Sequence, residues 1–199
     1  MTSQKYYVVY KPYEMLSQFT KEGAHKTLAD LKFNFPKDVY PVGRLDADSE
    51  GLLLLTSDKS INHRLLDPKF KHKRTYLAQV EGIFSEEAKA KLEKGVSISV
   101  DGKNYKTLPA KITLVDEPDL PERNPPIRFR KNIPTSWVEI CLEEGKNRQV
   151  RKMTAAVGFP TLRLVRIRIE KLSAENFLSG ELREIKKEEV YSLLSIEQR

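Results

Sequence analysis

The chain has 199 residues, 39% of them apolar and 32% charged, with a formal charge of +7 and an isoelectric point near 9.3. That is enough chain for a sizeable core and too apolar for a disordered protein, and the excess of cations favours an anionic partner, nucleic acid before a membrane surface. The single cysteine, Cys141, excludes an internal disulfide, no apolar run approaches the about 20 residues of a membrane span, and the N-terminus lacks the basic-then-apolar form of a signal peptide, so the cytoplasm is the expected location.

Residues 6–10 are aromatic and β-branched and read as a strand, closed by Lys11-Pro12. Thr27 heads a short predicted helix over 27–31. The continuous apolar run 52–56 predicts a buried strand, and 60–66 a helix that stops before Asp67-Pro68. Residues 74–81 alternate as a strand with Tyr76, Ala78 and Val80 on one face. Ser85 caps a helix that carries Glu86 and Glu87 in its first turn and stops at Gly95. Asp101-Gly102 predicts a hairpin between strands 96–100 and 105–115, and Pro118, Pro121, Pro125 and Pro126 mark a stiff loop. A strand over 137–142, a helix over 148–157 stopped by Gly158, a strand over 162–169 with a bulge expected at Leu164-Val165, and a helix over 186–194 complete the pass. The expected fold is α+β, a mostly antiparallel mixed sheet flanked by helices. One domain spans 1–199, with subdomains formed by about 1–60 plus the C-terminal part and by 61–170.

Gly43-Arg44-Leu45-Asp46-Ala47-Asp48-Ser49-Glu50-Gly51 puts a charged, turn-forming stretch directly before the apolar run. Three readings of it are open. Asp46, Asp48, Glu50 and Gly51 match the first half of a calcium loop, but Ser57 stands where a bidentate Glu belongs and Leu52–Leu55 suit a core. A polar turn with Arg44 and Asp46 idle is the second. In the third, Asp46 is a nucleophile or base on a rigid mount, and needs a cationic partner. The run from Gly145 to Met153 offers one: Arg148, Arg151 and Lys152 share one helix face, while Val150, Met153 and Val157 face a core. The same stripe is also readable as a solvated face. Arg163, Arg166 and Arg168 extend the positive surface along the next strand, and Lys69, Lys71, His72, Lys73 and Arg74 add a third basic segment before Tyr76. Basic segments bracketing aromatic positions read as a nucleic-acid groove. Three histidines (His25, His63, His72) and one cysteine make no credible metal cluster, so no metal is expected.

Gly43-Arg44-Leu45-Asp46 with Gly51–Thr56, Arg74–Gly82 around Tyr76, and Glu144–Met153 resemble, in order, the three motifs of the RsuA-type pseudouridine synthases. With Lys11-Pro12 they cover nearly the whole chain. Gln18-Phe19-Thr20, Asn124-Pro125-Pro126-Ile127-Arg128, Ile133–Trp137 and Gly158–Leu164 are similar to the branch of that family acting on one uridine of 23S ribosomal RNA near the peptidyl-transferase region. Two departures stand out. Lys146 and Lys152 replace the commoner arginines, and Ser57-Asp58-Lys59 replaces Asn-Asp-Gly. The resemblance implies a catalytic domain without the small RNA-binding module many relatives carry in front, acting as a monomer and without a cofactor.

By that resemblance Asp46 is the essential carboxylate, Arg151 its buried cationic partner (with Arg148 as the alternative pairing residue), and Tyr76 the ring that stacks on the base. Arg44 would fill the space left by a flipped-out uridine. Lys73, Arg74, Arg148, Lys152, Arg163 and Arg166 would grip phosphates. The rival expectation is a ribosomal-RNA-binding assembly factor with no catalysis on the same scaffold.

Overall fold

A computed structural model describes residues 4–127 and 133–197; Arg128, in one of the matched segments, lies outside them. In chain order come β1 (Tyr6–Lys11), β2 (Met15–Leu16), β3 (Lys26–Thr27), β4 (Tyr40–Pro41), β5 (Glu50–Thr56), α1 (Lys59–Leu66), β6 (Arg74–Glu81) and α2 (Glu86–Glu93). There follow β7 (Ser97–Val100), β8 (Lys103–Lys106), β9 (Lys111–Val115), β10 (Thr135–Leu142), α3 (Gln149–Ala156), β11 (Thr161–Ile169), β12 (Leu172–Ser173), β13 (Leu182–Glu184) and α4 (Lys187–Leu193). Among the described residues the main sheet has nine strands, with the order β13-β1-β5-β11-β6-β10-β9 and with β4 and β12 on its flanks. The α+β expectation holds. Each ladder in that sheet is antiparallel except β5 with β11. No helix among the described residues is long and apolar enough to cross a membrane.

Burial on both faces explains the run of four leucines in β5. Leu52 and Leu54 join Tyr6, Val8 and Tyr10 under α1 and α4, against Ile61, Leu65, Val190 and Leu194. Leu53 and Leu55 turn the other way, onto Tyr7, Val9, Leu28 and Val39. A strand covered on both sides cannot alternate in polarity. The β6–β10 half packs Ala78, Val80, Val138 and Ile140 on α2 and α3 through Ala88, Leu92, Val150 and Met153. Capping follows the sequence closely: Ser85 Oγ accepts from the Ala88 N–H, and Asp58 from the Ser60 N–H. Asp58, retained within the divergent Ser57-Asp58-Lys59, also accepts hydroxyl protons from Tyr6 at 2.9 Å and Tyr191 at 2.7 Å, tying β1 and α4 to α1.

Two expectations are corrected. The strand foreseen over 105–115 is two, β8 and β9, because the chain leaves the hairpin at Thr107, whose N–H and hydroxyl bond Val96. The irregularities in β11 fall between Thr161 and Arg163 and between Arg166 and Arg168, rather than at Leu164-Val165. Each shifts the register with β6 by one residue, and between them Leu164 and Val165 pair regularly with Ala78 and Leu77 and are both buried.

The seam between β5 and β11 positions the site. Gly51 pairs with Arg166 at a φ of +98°, and a Cβ there would lie 2.3 Å from the Arg166 carbonyl oxygen. Only glycine permits that approach. Gly51→Ala is expected to lower stability by at least about 2 kcal/mol, read as a drop in urea midpoint.

Candidate active site

The loop between β4 and β5 is held at nearly every residue. The Leu45 N–H donates to Ser17 Oγ at 3.0 Å, and the same hydroxyl donates back to the Leu45 carbonyl at 2.9 Å. The Ala47 carbonyl accepts from Lys11 Nζ at 3.3 Å, and the Asp48 carbonyl from Arg151 Nη2 at 2.7 Å. Ser49 closes a turn by donating its N–H to the Asp46 carbonyl. Arg148 then takes the Asp48 carboxylate with both prongs, at 2.9 and 2.8 Å. What this leaves is the Asp46 carboxylate, one-third exposed, with one cation in ion-pair range among the described residues: Arg148 Nη1 at 3.6 Å. The backbone on either side of it is fixed by Ser17, Lys11 and Arg151 while its oxygens stay available, the arrangement expected of a reacting group.

Asp46 lines a cleft of about 360 Å³ together with Arg44, Arg74, Tyr76, Arg148 and Arg166. That volume lies in the range of ligand-binding clefts. Tyr76 comes from β6, Arg166 sits opposite it on β11, and Arg44 is exposed within the cleft lining. Glu144 braces the third motif from below. Its carboxylate accepts from the Tyr105 hydroxyl, from the Leu108 N–H at 2.8 Å and from Gln149 Nε2 at 2.6 Å. A residue in the left-handed region, Arg148 (φ 52°), opens α3 and sends its guanidinium towards the loop.

A family model of RNA pseudouridylate synthases matches residues 5–156. The chain belongs to the RNA pseudouridylate synthase family. It is 48% identical over 186 residues to the ribosomal large subunit pseudouridine synthase E of Vibrio parahaemolyticus serotype O3:K6, spanning 93% of this chain and 75% of that one. A protein of the same name from Xanthomonas axonopodis pv. citri is 51% identical over 162 residues, 80% of this chain and 82% of its own. A crystal structure titled as a pseudouridylate synthase superposes with a TM-score of 0.77 at 26% identity, over 97% of this chain and 75% of that one.

Within this synthase the expected site residues separate into three groups. Asp46, Tyr76, Arg44, Arg74, Arg148 and Arg166 meet at the cleft. Lys73 is exposed and Lys152 half-buried, both beside the cleft-lining segments rather than in its lining. Arg151 and Arg163 are placed otherwise than expected. The partner foreseen for Asp46, Arg151, instead holds Asp48, with Nε 3.4 Å from Oδ2, and the alternative, Arg148, is the residue that reaches Asp46. Burial pulls the Arg151 guanidinium below its ordinary value, against the raising charges of Asp48 and Asp46. Burial also pushes Asp48 up, yet the Arg148 bonds and the two guanidinium charges leave its carboxyl below the usual range.

Arg163 is no phosphate contact. It is buried, bonds Glu50 with two prongs at 2.9 Å each, and gives Nη2 to the Pro121 carbonyl at 2.7 Å. Arg166, also expected on phosphates, is 4% exposed, with Nε on the Leu52 carbonyl at 2.8 Å. Arg148 and Arg74 are only partly free for phosphates: Arg148 is engaged with the aspartates and Arg74 with the carbonyls of Leu65 and His72. With Asp48 turned to Arg148 and Arg151 and Glu50 to Arg163, the calcium-loop reading fails for lack of converging ligands.

Sequence reasoning missed the residues that mount the loop: Ser17, Lys11, Glu50 and Glu144. Lys11-Pro12 was visible as part of the resemblance, but nothing in the local sequence ties Lys11 to Ala47. Its Nζ is fully buried and donates to the carbonyls of Pro12, Met15 and Ala47. Burial pulls Lys11 down to about 7, against the raising charges of Glu50, Asp48 and Asp46. The folded value lies below the unfolded one, so the cost of burying the charge is fully present below about pH 7 and fades as pH rises towards the unfolded value. Lys11→Met removes that slope: its unfolding free energy should climb by about 2 kcal/mol less than wild type between about pH 7 and pH 9. Urea titrations across that range provide the check.

Proposed function

We propose that this chain isomerises one uridine of large-subunit, 23S ribosomal RNA to pseudouridine, with Asp46 as the reacting carboxylate. The observation that carries the reading is the fixed loop that leaves Asp46, alone of its acids, open to a cleft shared with Tyr76. The relatives' names support the RNA, since both act by name on the large ribosomal subunit.

The chemistry needs little else. The N1–C1′ bond breaks, the base turns, and C5 joins C1′ while its proton moves to N1. Asp46 serves this by attacking C1′ or by taking the C2′ proton; in both cases the bonding pair departs with the base. Nothing is oxidised and no second substrate is consumed, so the reaction calls for no cofactor. Tyr76 stacks on the base, Arg148 steers the Asp46 carboxylate, and Arg44 occupies the gap left in the RNA. Lys73 and Lys152, with the free part of Arg74, hold phosphates and position the strand without reading it. The protein works as a monomer in the cytoplasm.

Carbodiimide derivatisation of 23S transcripts followed by primer extension tests the proposal. A single new stop after incubation with wild type is the expected result. Tight binding with no new stop on free RNA or on immature particles would favour the assembly-factor reading instead.

A further inference from the structure

Charge pairing around the cleft leaves one buried arginine over. Among the described residues two arginines are at least nine-tenths buried, Arg163 and Arg166. Arg163 has Glu50, while Arg148 and Arg151 share Asp46 and Asp48. Arg166 has no carboxylate among the described residues. Its Nε is spent on the Leu52 carbonyl, and its Nη2 is buried without a hydrogen-bond partner. The side chain lines the same cleft as Asp46 and stands opposite Tyr76 on the neighbouring strand. A guanidinium kept from water with an unused donor awaits a strong acceptor or an anion. Burial draws its value below the ordinary one, with the Tyr76 hydroxyl beside it opposing that.

Resting on the isomerase reading, we infer that Arg166 is a catalytic residue that stabilises the departing uracil as an anion. When N1–C1′ breaks, the electron pair goes to the base, and the negative charge spreads over N1 and the two carbonyl oxygens. A ring stacked on Tyr76 presents a carbonyl edge to the adjacent Arg166, whose Nη2 then donates to an oxygen that is richer in charge after cleavage than before. Such a donor acts on the transition state more than on ground-state binding. When C5 joins C1′ and its proton passes to N1, the charge is gone and the arginine releases the base. This role is separate from that of Asp46, which acts on the sugar.

The test varies the leaving group. Arg166→Gln is expected to slow single-turnover conversion of uridine RNA about 100-fold with RNA affinity within about threefold of wild type. On RNA made with 5-fluorouridine, whose base carries negative charge more readily, disappearance of the parent nucleoside should show a defect at least about tenfold smaller. An equal defect on both RNAs would overturn the inference, since a merely structural arginine is blind to the leaving group. Arg166→Lys, which keeps the charge, should show a smaller loss with the same narrowing and is read in the same way if the Gln variant unfolds. Wild-type conversion of uridine RNA reports on the isomerase reading, and the ratio of the two defects on Arg166, so the two fail separately.

Discussion

Asp46→Asn should fold, bind large-subunit RNA as wild type does, and lose at least about three orders of magnitude in pseudouridine formation. The exchange is isosteric, the side chain is one-third exposed, and its nearest cation among the described residues is Arg148 at 3.6 Å, so the stability change should stay within about 1 kcal/mol. The loop itself is held by Ser17, Lys11 and Arg151 through backbone oxygens and nitrogens that the substitution leaves alone. An amide can neither attack C1′ nor take a sugar proton at neutral pH, which is why the loss falls on the chemical step. Primer-extension mapping, filter binding and urea unfolding on one preparation measure the three parts. Turnover within tenfold of wild type would remove Asp46 from the mechanism.

Arg163→Ala has the largest expected effect on the fold. The Arg163 and Glu50 side chains are 10% and 3% exposed and meet through two bonds at 2.9 Å. Removing the arginine strands a buried carboxylate at the first residue of β5 and frees the Pro121 carbonyl, at a cost of about 3–5 kcal/mol. Replacing both partners, Arg163→Met with Glu50→Leu, leaves no buried charge and should recover most of that loss. Guanidinium titrations of the single and double variants decide the point. The double variant should also keep the wild-type salt dependence of RNA binding, whereas a phosphate contact at position 163 would reduce it.

These two residues also mark how far the sequence could be read. Elements with local causes were legible: Ser85 with Glu86 and Glu87 begins α2, Asp101-Gly102 turns β7 into β8, and four leucines in a row form a strand buried on both faces. Asp46, Tyr76 and Arg151 were read as a constellation because three motifs keep their order; the cleft gathers Asp46 and Tyr76 with Arg148, the alternative, and Arg151 turns to Asp48. Arg163 and Arg166 were misread because a basic residue in a strand looks solvent-facing unless its partner is known. The partners here, Glu50 and the Leu52 carbonyl, lie over a hundred positions away along the chain. Local residues alone did not separate Asp46 from Asp48, which stand two and four residues from Arg44; the resemblance named Asp46, and what Asp48 does depends on the approach of α3. The irregularities of β11 answer to pairing with β6 on one side and β5 on the other, which local alternation does not encode.

Asp48 is held by Arg148 and Arg151, whereas Asp46 lines the cleft and, in the proposed reaction, is the acid that acts on the substrate. Single-turnover assays of Asp46→Asn and Asp48→Asn, with enzyme in excess over 23S transcript, set the two against each other. The expected result is no conversion by Asp46→Asn at any enzyme concentration, and slowed but complete conversion by Asp48→Asn. Complete conversion by Asp46→Asn alongside an inert but folded Asp48→Asn would contradict it.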